Sequence, residues 1–175
     1  MTERKIGEKT IRLVQGDITD LDVDAFVFDI TEDVKLGSGF GGAIQQRGGI
    51  VIQKELDAIG SCPTGEAVVT QAGLLKAEFI IHTNGPKFRP EDEEGELRQA
   101  TGAALARAEE KGAKKLALPP IGTGLYQVPL DLCARVMVDM VAQHLSNGSE
   151  LEEVVFVAAD AREFKPFEAK LTEGA

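Results

Sequence analysis

The chain has 175 residues, with 19 Lys and Arg against 29 Asp and Glu, a formal net charge of -10. A surface of that sign repels nucleic-acid phosphates and anionic lipid except where a local field reverses it, which argues against both as partners. The length suits one domain, expected over 1–175, and the 43% hydrophobic and 27% charged composition is that of a globular chain able to bury a core without staples or metals.

The opening MTERKIGEKT lacks the apolar core of a signal peptide, and no later stretch is long and apolar enough to cross a bilayer, so a soluble cytoplasmic protein is expected. Thr10 to Gly16 alternates apolar and polar positions and reads as a half-buried strand; Asp24 to Ile30 is a second, more continuously apolar one. Ile44, Val51, Ile52, Leu56 and Ile59 are spaced as on a helix between Gly42 and Ile59, with a break at Gly48-Gly49. Glu66 to Ala72 and Glu78 to Thr83 form two adjacent strands around a turn at Gly73, and Pro86 and Pro90 frame a polar loop. Cys62 lies far from Cys133 and neither belongs to a C-x-x-C pair, so no metal or cofactor is expected and both read as buried free thiols.

Gly95 to Lys111 is predicted helical, with Gly112 placed to end it, and Lys114 to Leu118 is a short strand. From Leu130 to Leu145 a second helix sets Leu132, Val136, Met140 and Val141 on one stripe and stops before Asn147-Gly148. Val154 to Ala158 is a last buried strand, and Phe164, Phe167 and Leu171 fit an amphipathic terminal helix with Pro166 near its start. Strands alternating with helices imply a sheet covered on both faces, and the adjacent pair at Glu66 and Glu78 makes it mixed.

Gly37-Ser38-Gly39-Phe40-Gly41-Gly42 matches G-x-G-x-x-G and leads into the helix expected to begin near Ala43. Thr31 to Leu36 separates it from the preceding strand, which disfavours a dinucleotide fold, where the glycines follow the strand directly. Such a cluster discards chain entropy unless bare backbone N–H groups are needed, and next to a helix N-terminus they suit a diphosphate. A second loop, Ile121-Gly122-Thr123-Gly124-Leu125-Tyr126, should open on the same sheet edge and grip that diphosphate from the other side. No P-loop is present, so triphosphate hydrolysis is not indicated. Tyr126 either faces the ligand or is structural, and Asp17 either caps a turn or accepts a hydrogen bond from an exocyclic amine such as that of adenine. His82 reads as a packed core residue and His144 as a helix C-terminal cation.

Together GDIT (Gly16–Thr19), LGSGFGGAI (Leu36–Ile44), TGEAVVTQAG (Thr64–Gly73), IIHTNGP (Ile80–Pro86) and LPPIGTGLYQVPLD (Leu118–Asp131) resemble the macrodomains, which bind ADP-ribose, in their order along most of the chain. The resemblance implies an α/β fold, a three-layer α/β/α sandwich with a central mixed sheet. It implies adenine at Asp17 and Ile18, and diphosphate and distal ribose at Ser38, Gly39, Phe40 and Gly41 and at Gly122, Thr123, Gly124, Leu125 and Tyr126. The ligand implied is ADP-ribose, a derivative such as O-acetyl-ADP-ribose, or an ADP-ribosyl group on a macromolecule. Catalytic members carry N-A-A-N where this chain reads Phe28-Asp29-Ile30-Thr31, so the ribose-orienting asparagine aligns with Thr31 and a water-activating aspartate with Gly41. Neither usual catalytic group is present, which favours a binding module with no catalytic residue over a hydrolase using Asp29, Glu32 or Asp33 as a relocated base.

Overall fold

The structure is a computed structural model and describes residues 2–88 and 90–173. In chain order the described elements are β1 (Thr2–Ile6), β2 (Lys9–Gln15), β3 (Ala25–Asp29), α1 (Gly39–Gly48), α2 (Val51–Ile59), β4 (Ala67–Gln71), β5 (Phe79–Thr83), α3 (Glu93–Glu110), β6 (Lys115–Leu118), α4 (Leu130–Ser146), β7 (Glu153–Ala158) and α5 (Ala161–Glu173). The strands form one seven-stranded sheet in the order β1-β2-β7-β6-β3-β5-β4. The five strands from β2 to β5 run parallel, and the edge strands β1 and β4 are antiparallel to their neighbours, so the sheet is mixed.

Successive residues of the inner strands point to opposite faces, and both faces are apolar. Ile11, Leu13, Val27, Leu116, Val154 and Phe156 pack with α3, α4 and α5 through Leu97, Leu105, Val136, Met137, Val141 and Phe167. Phe26, Ile80, Ala117, Val155 and Val157 pack instead with Ile44 of α1 and Ile52 and Leu56 of α2. The result is the expected three-layer α/β/α sandwich. No helix among the described residues is long and apolar enough to cross a membrane.

Four local features depart from the sequence expectation. β1 has no apolar alternation; its charged residues stay partly exposed and only Ile6 packs against the core, so the strand is held by its ladder to β2 across a turn at Gly7. The helix expected near Ala43 begins four residues earlier, because Gly41 packs directly against the Leu36 carbonyl, where a Cβ would overlap the oxygen. On α4 the buried face is wider than the expected stripe and is centred on Cys133, Val136, Met137, Val141 and Leu145, with Leu132 and Met140 at its margins. That helix packs against α3 on one side and α5 on the other as well as against the sheet, so more of its circumference is covered. Finally, Pro166 lies inside α5 and not at its start: Asp160 accepts the Glu163 N–H at 3.0 Å and so opens the helix upstream of the proline.

Candidate functional site

Connections leave the neighbouring strands β6 and β3 toward opposite faces, to α4 and to α1, and such a reversal opens a crevice beyond the strand C-termini. A cleft of about 730 Å³ lies there, along the ends of β2, β7, β6 and β3. Asp17, Ile18, Thr31, Ser38, Gly39, Phe40, Gly41, Gly122, Thr123, Gly124, Leu125 and Tyr126 all line it. The two glycine loops therefore face one space.

The first wall is the start of α1. Ser38 occupies the cap position without a side-chain cap bond, and the N–H groups of Gly39, Phe40 and Gly41 take no partner among the described residues. These are the orphan donors of a helix N-terminus, with the positive end of its dipole behind them. Gly39 has φ +62°, and open space surrounds the place of its missing side chain. Phe40 stacks on Phe28 with ring centroids 5.9 Å apart, which closes the cleft beside this turn.

The opposite wall is the loop after β6. Gly122 has φ +76°, and a Cβ there would sit 2.7 Å from Val128 Cγ2, so the tight turn that returns the chain to accept the Val128 N–H at 2.9 Å requires glycine. Thr123 turns its hydroxyl back to the Pro120 carbonyl at 3.2 Å, so that side chain serves the loop itself. Leu125 is 71% exposed on the rim. Tyr126 meets Phe88 edge-on at 5.1 Å and lies under Lys87, whose Nζ is 4.6 Å from the ring centroid.

Asp17 caps the short 3-10 turn Ile18–Asp20 at one end of the cleft. Its Oδ1 accepts the Thr19 N–H at 2.9 Å and the Thr19 hydroxyl at 2.7 Å, and its Oδ2 pairs with Arg47 of α1 at 3.0 Å. Partial burial pushes this carboxyl up, but the bonds from Thr19 and the Arg47 guanidinium outweigh it and hold the pKa below the usual carboxylate range. Thr31 donates its hydroxyl to Asp33 at 2.5 Å. Glu32 and Asp33 do not line the cleft, whereas Asp29 does.

Asp29 ends β3 with its side chain 16% exposed. Its Oδ1 accepts from Lys87 Nζ at 2.7 Å and from the Gly85 N–H at 3.2 Å, and the Gly122 N–H also faces the carboxylate. Burial pushes its pKa up, and Lys87 with those two N–H groups offsets part of that rise. Gly85 must be glycine because a side chain would collide with Ile121. Sequence reasoning missed Lys87, Gly85 and Glu163, whose Oε1 accepts the Ala159 N–H at 2.7 Å. The only signal for Lys87 was its place in the polar loop after a strand.

The acids lining the cleft are each matched by a base, Asp17 by Arg47, Asp29 by Lys87 and Glu163 by Arg162 at 3.8 Å. An anion entering between the glycine loops thus meets backbone N–H groups, not a net acidic wall. Among the described residues no cluster of His, Cys, Asp and Glu can hold a metal. Cys62 and Cys133 are free and buried, and burial pushes the Cys62 thiol up to about 11 and Cys133 further, which removes both as nucleophiles at neutral pH.

Residues 30–137 match the Macro domain family. A relative from Pantoea vagans named O-acetyl-ADP-ribose deacetylase 1 is 34% identical, the match covering 89% of this chain and 95% of that one. A Thermotoga maritima relative is 41% identical over 94% of this chain, which spans only 29% of that protein's length. The Oceanobacillus iheyensis macrodomain solved with ADP superposes with a TM-score of 0.92 at 26% identity, covering 98% of this chain and 95% of that one. A variant of the same protein solved with ADPR gives 0.90 at 27%, covering 98% and 97%.

Proposed function

Since the chain belongs to the Macro domain family, we propose that it is a single macrodomain over 1–175 that binds ADP-ribose or a close derivative, in the cytoplasm and without chemistry of its own. The observation that carries this reading is that the unpartnered N–H groups at the start of α1 and the glycine loop after β6 line one cleft whose acidic side chains are already paired. Adenine lies at Asp17 and Ile18. The diphosphate and distal ribose lie between Ser38–Gly41 and Gly122–Tyr126, with Thr31 at the ribose end. The Oceanobacillus iheyensis macrodomain structures solved with ADP and with ADPR support the ligand class. Free ADP-ribose, O-acetyl-ADP-ribose and ADP-ribosyl groups on macromolecules share the part that the cleft holds.

Titration calorimetry with ADP-ribose, ADP, AMP and NAD tests the ligand class. ADP-ribose is expected to bind tightest, and a chain that prefers ADP or AMP is not an ADP-ribose binder.

A second reading, hydrolysis of an ester such as O-acetyl-ADP-ribose, is favoured by Asp29, a cleft carboxylate whose raised pKa makes it a stronger base. The relative named as a deacetylase supports it. Asp29 would take a proton from water as the water oxygen bonds to the acyl carbon, and would return it to the ribose oxygen as the acyl–oxygen bond breaks, releasing acetic acid and regenerating the carboxylate. Acetate release that vanishes in Asp29→Asn supports this reading, and absence of release from the unaltered chain ends it.

A further inference from the structure

Among the described residues, two that are not glycine have positive φ, Val34 at +51° and Gln127 at +62°. Val34 lies in the loop that leads into the first glycine cluster, and Gln127 directly follows the second. An L residue is disfavoured in that region, and a β-branched one most of all. Backbone strain of this kind persists only where the surroundings over-determine it, and it gathers at ligand clamps. Val34 is the sharper case, since valine has no polar group of its own to support the turn.

The hold on Val34 comes from α2. Ile52 and Leu56 have no exposed surface and fix that helix against the core, which sets Gln53 beside the loop. Gln53 Nε2 donates to the Val34 carbonyl at 3.0 Å, and its Oε1 accepts the Leu36 N–H at 3.0 Å. Nε2 also donates to Asp57 at 2.9 Å, and Asp57 accepts from Lys35 Nζ at 2.9 Å as well. Flipping the amide would set its oxygen against two oxygens and its nitrogen against an N–H, so its orientation is fixed. The Val34 side chain is buried in the same apolar cluster as Ile52 and Leu56, which anchors the loop a second way. From Leu36 the hold passes to α1, because Gly41 packs on the Leu36 carbonyl. Gln53 itself does not line the cleft.

We propose that Gln53 is a positioning residue for diphosphate binding: by clamping Val34 and Leu36 it keeps the strained loop in place before the ligand arrives, so that the unpartnered N–H groups of Gly39, Phe40 and Gly41 already face the cleft. The proposal rests on the ADP-ribose reading of the cleft and adds to it a residue that acts from outside. Gln53 works through the loop and touches no ligand. Without it the strain at Val34 drives the loop toward relaxed conformations, and the apparent affinity falls with the fraction of chains that keep the binding arrangement. The Asp17 end is held separately, by Thr19 and by Arg47 in the last turn of α1.

The test compares the full chain with Gln53→Met, Val34→Gly and the double variant, with thermal melts to verify folding. Calorimetry measures ADP-ribose and ADP, and NMR titration measures adenosine, which has no phosphate and reaches only the Asp17 end. Gln53→Met is expected to weaken ADP-ribose and ADP alike by about tenfold, the order of the bias against a left-handed valine. Adenosine affinity should stay within about twofold, which a general loosening of the fold would not allow. Glycine adopts positive φ without strain, so in the Val34→Gly chain the further change Gln53→Met should weaken ADP-ribose by only about threefold or less. Equal losses for the three ligands, no loss for ADP-ribose, or the full loss repeated in the Val34→Gly chain overturns the proposal while leaving the ligand class standing. Should Val34→Gly not fold, the comparison of ADP-ribose with adenosine decides alone. Failure of the unaltered chain to bind ADP-ribose is a different result and removes the reading of the cleft itself.

Discussion

His82 has no exposed surface, its Nε2 lies 2.9 Å from the Thr70 hydroxyl, and its Nδ1 has no partner among the described residues. Burial pushes its pKa down to about 3, so the folded protein keeps the ring neutral, whereas the unfolded chain takes up a proton below the ordinary value of 6.5. A depressed folded pKa on a base means that stability is complete above the unfolded value and is lost as pH falls from 6.5 toward 3. At pH 5 the loss from this residue is about 2 kcal/mol. Denaturant melts at pH 7.5 and 5.0 should therefore show His82→Gln losing less stability on acidification than the unaltered chain by about that amount, and equal losses would mean that the imidazole titrates in place. That His82 is a core residue was legible from its apolar strand. Its partner was not, because Thr70 comes beside it only through the antiparallel register that pairs Val68 with His82. Asp17 was ambiguous for a similar reason: a GDIT stretch is compatible with a cap and with a ligand contact, and the Arg47 that holds its second oxygen arrives from a helix 30 residues away.

Among elements, α1 shows where periodicity stops being informative. Glycines contribute nothing to an apolar stripe, so the pattern reveals the helix only from Ile44 onward, although it starts at Gly39. Gly41→Ala is expected to force the first turn away from the Leu36 carbonyl, with a cost of about 1–3 kcal/mol or more and loss of ADP-ribose binding together. Gly39→Ala faces open space and pays only for its positive φ, about 1–2 kcal/mol. Denaturant midpoints for both variants check the order, and a Gly41→Ala chain as stable as the original would show that the turn is not packed in this way. The inner strands were legible because each is buried on both faces and reads as a compact apolar run. β1 escaped notice because an edge strand can be stabilised by its ladder alone, and TERKI has no apolar face to show. α4 was found but its stripe was misplaced, since the sequence does not reveal that three neighbours cover it.

For the whole molecule, the net charge of -10 and an anionic ligand are reconciled by geometry. Fixed N–H dipoles act at contact distance, well inside the screening length of about 8–10 Å at physiological salt. The affinity for ADP-ribose is therefore expected to change by less than about threefold between 50 and 500 mM NaCl, as calorimetry across that range would show. A fall of tenfold or more would place the binding energy in dispersed Lys and Arg side chains instead. Sequence alone determined the alternation of strands and helices, the two glycine loops and the family they resemble, because those depend on local pattern and on residues near one another in the chain. Only the tertiary structure decided that Lys87 stands behind Asp29, that Arg47 holds Asp17, and that Glu163 and Gly85 join the cleft. These partners lie 30 or more residues from the groups they serve or belong to other elements, and no local spacing records which strand ends the sheet brings side by side.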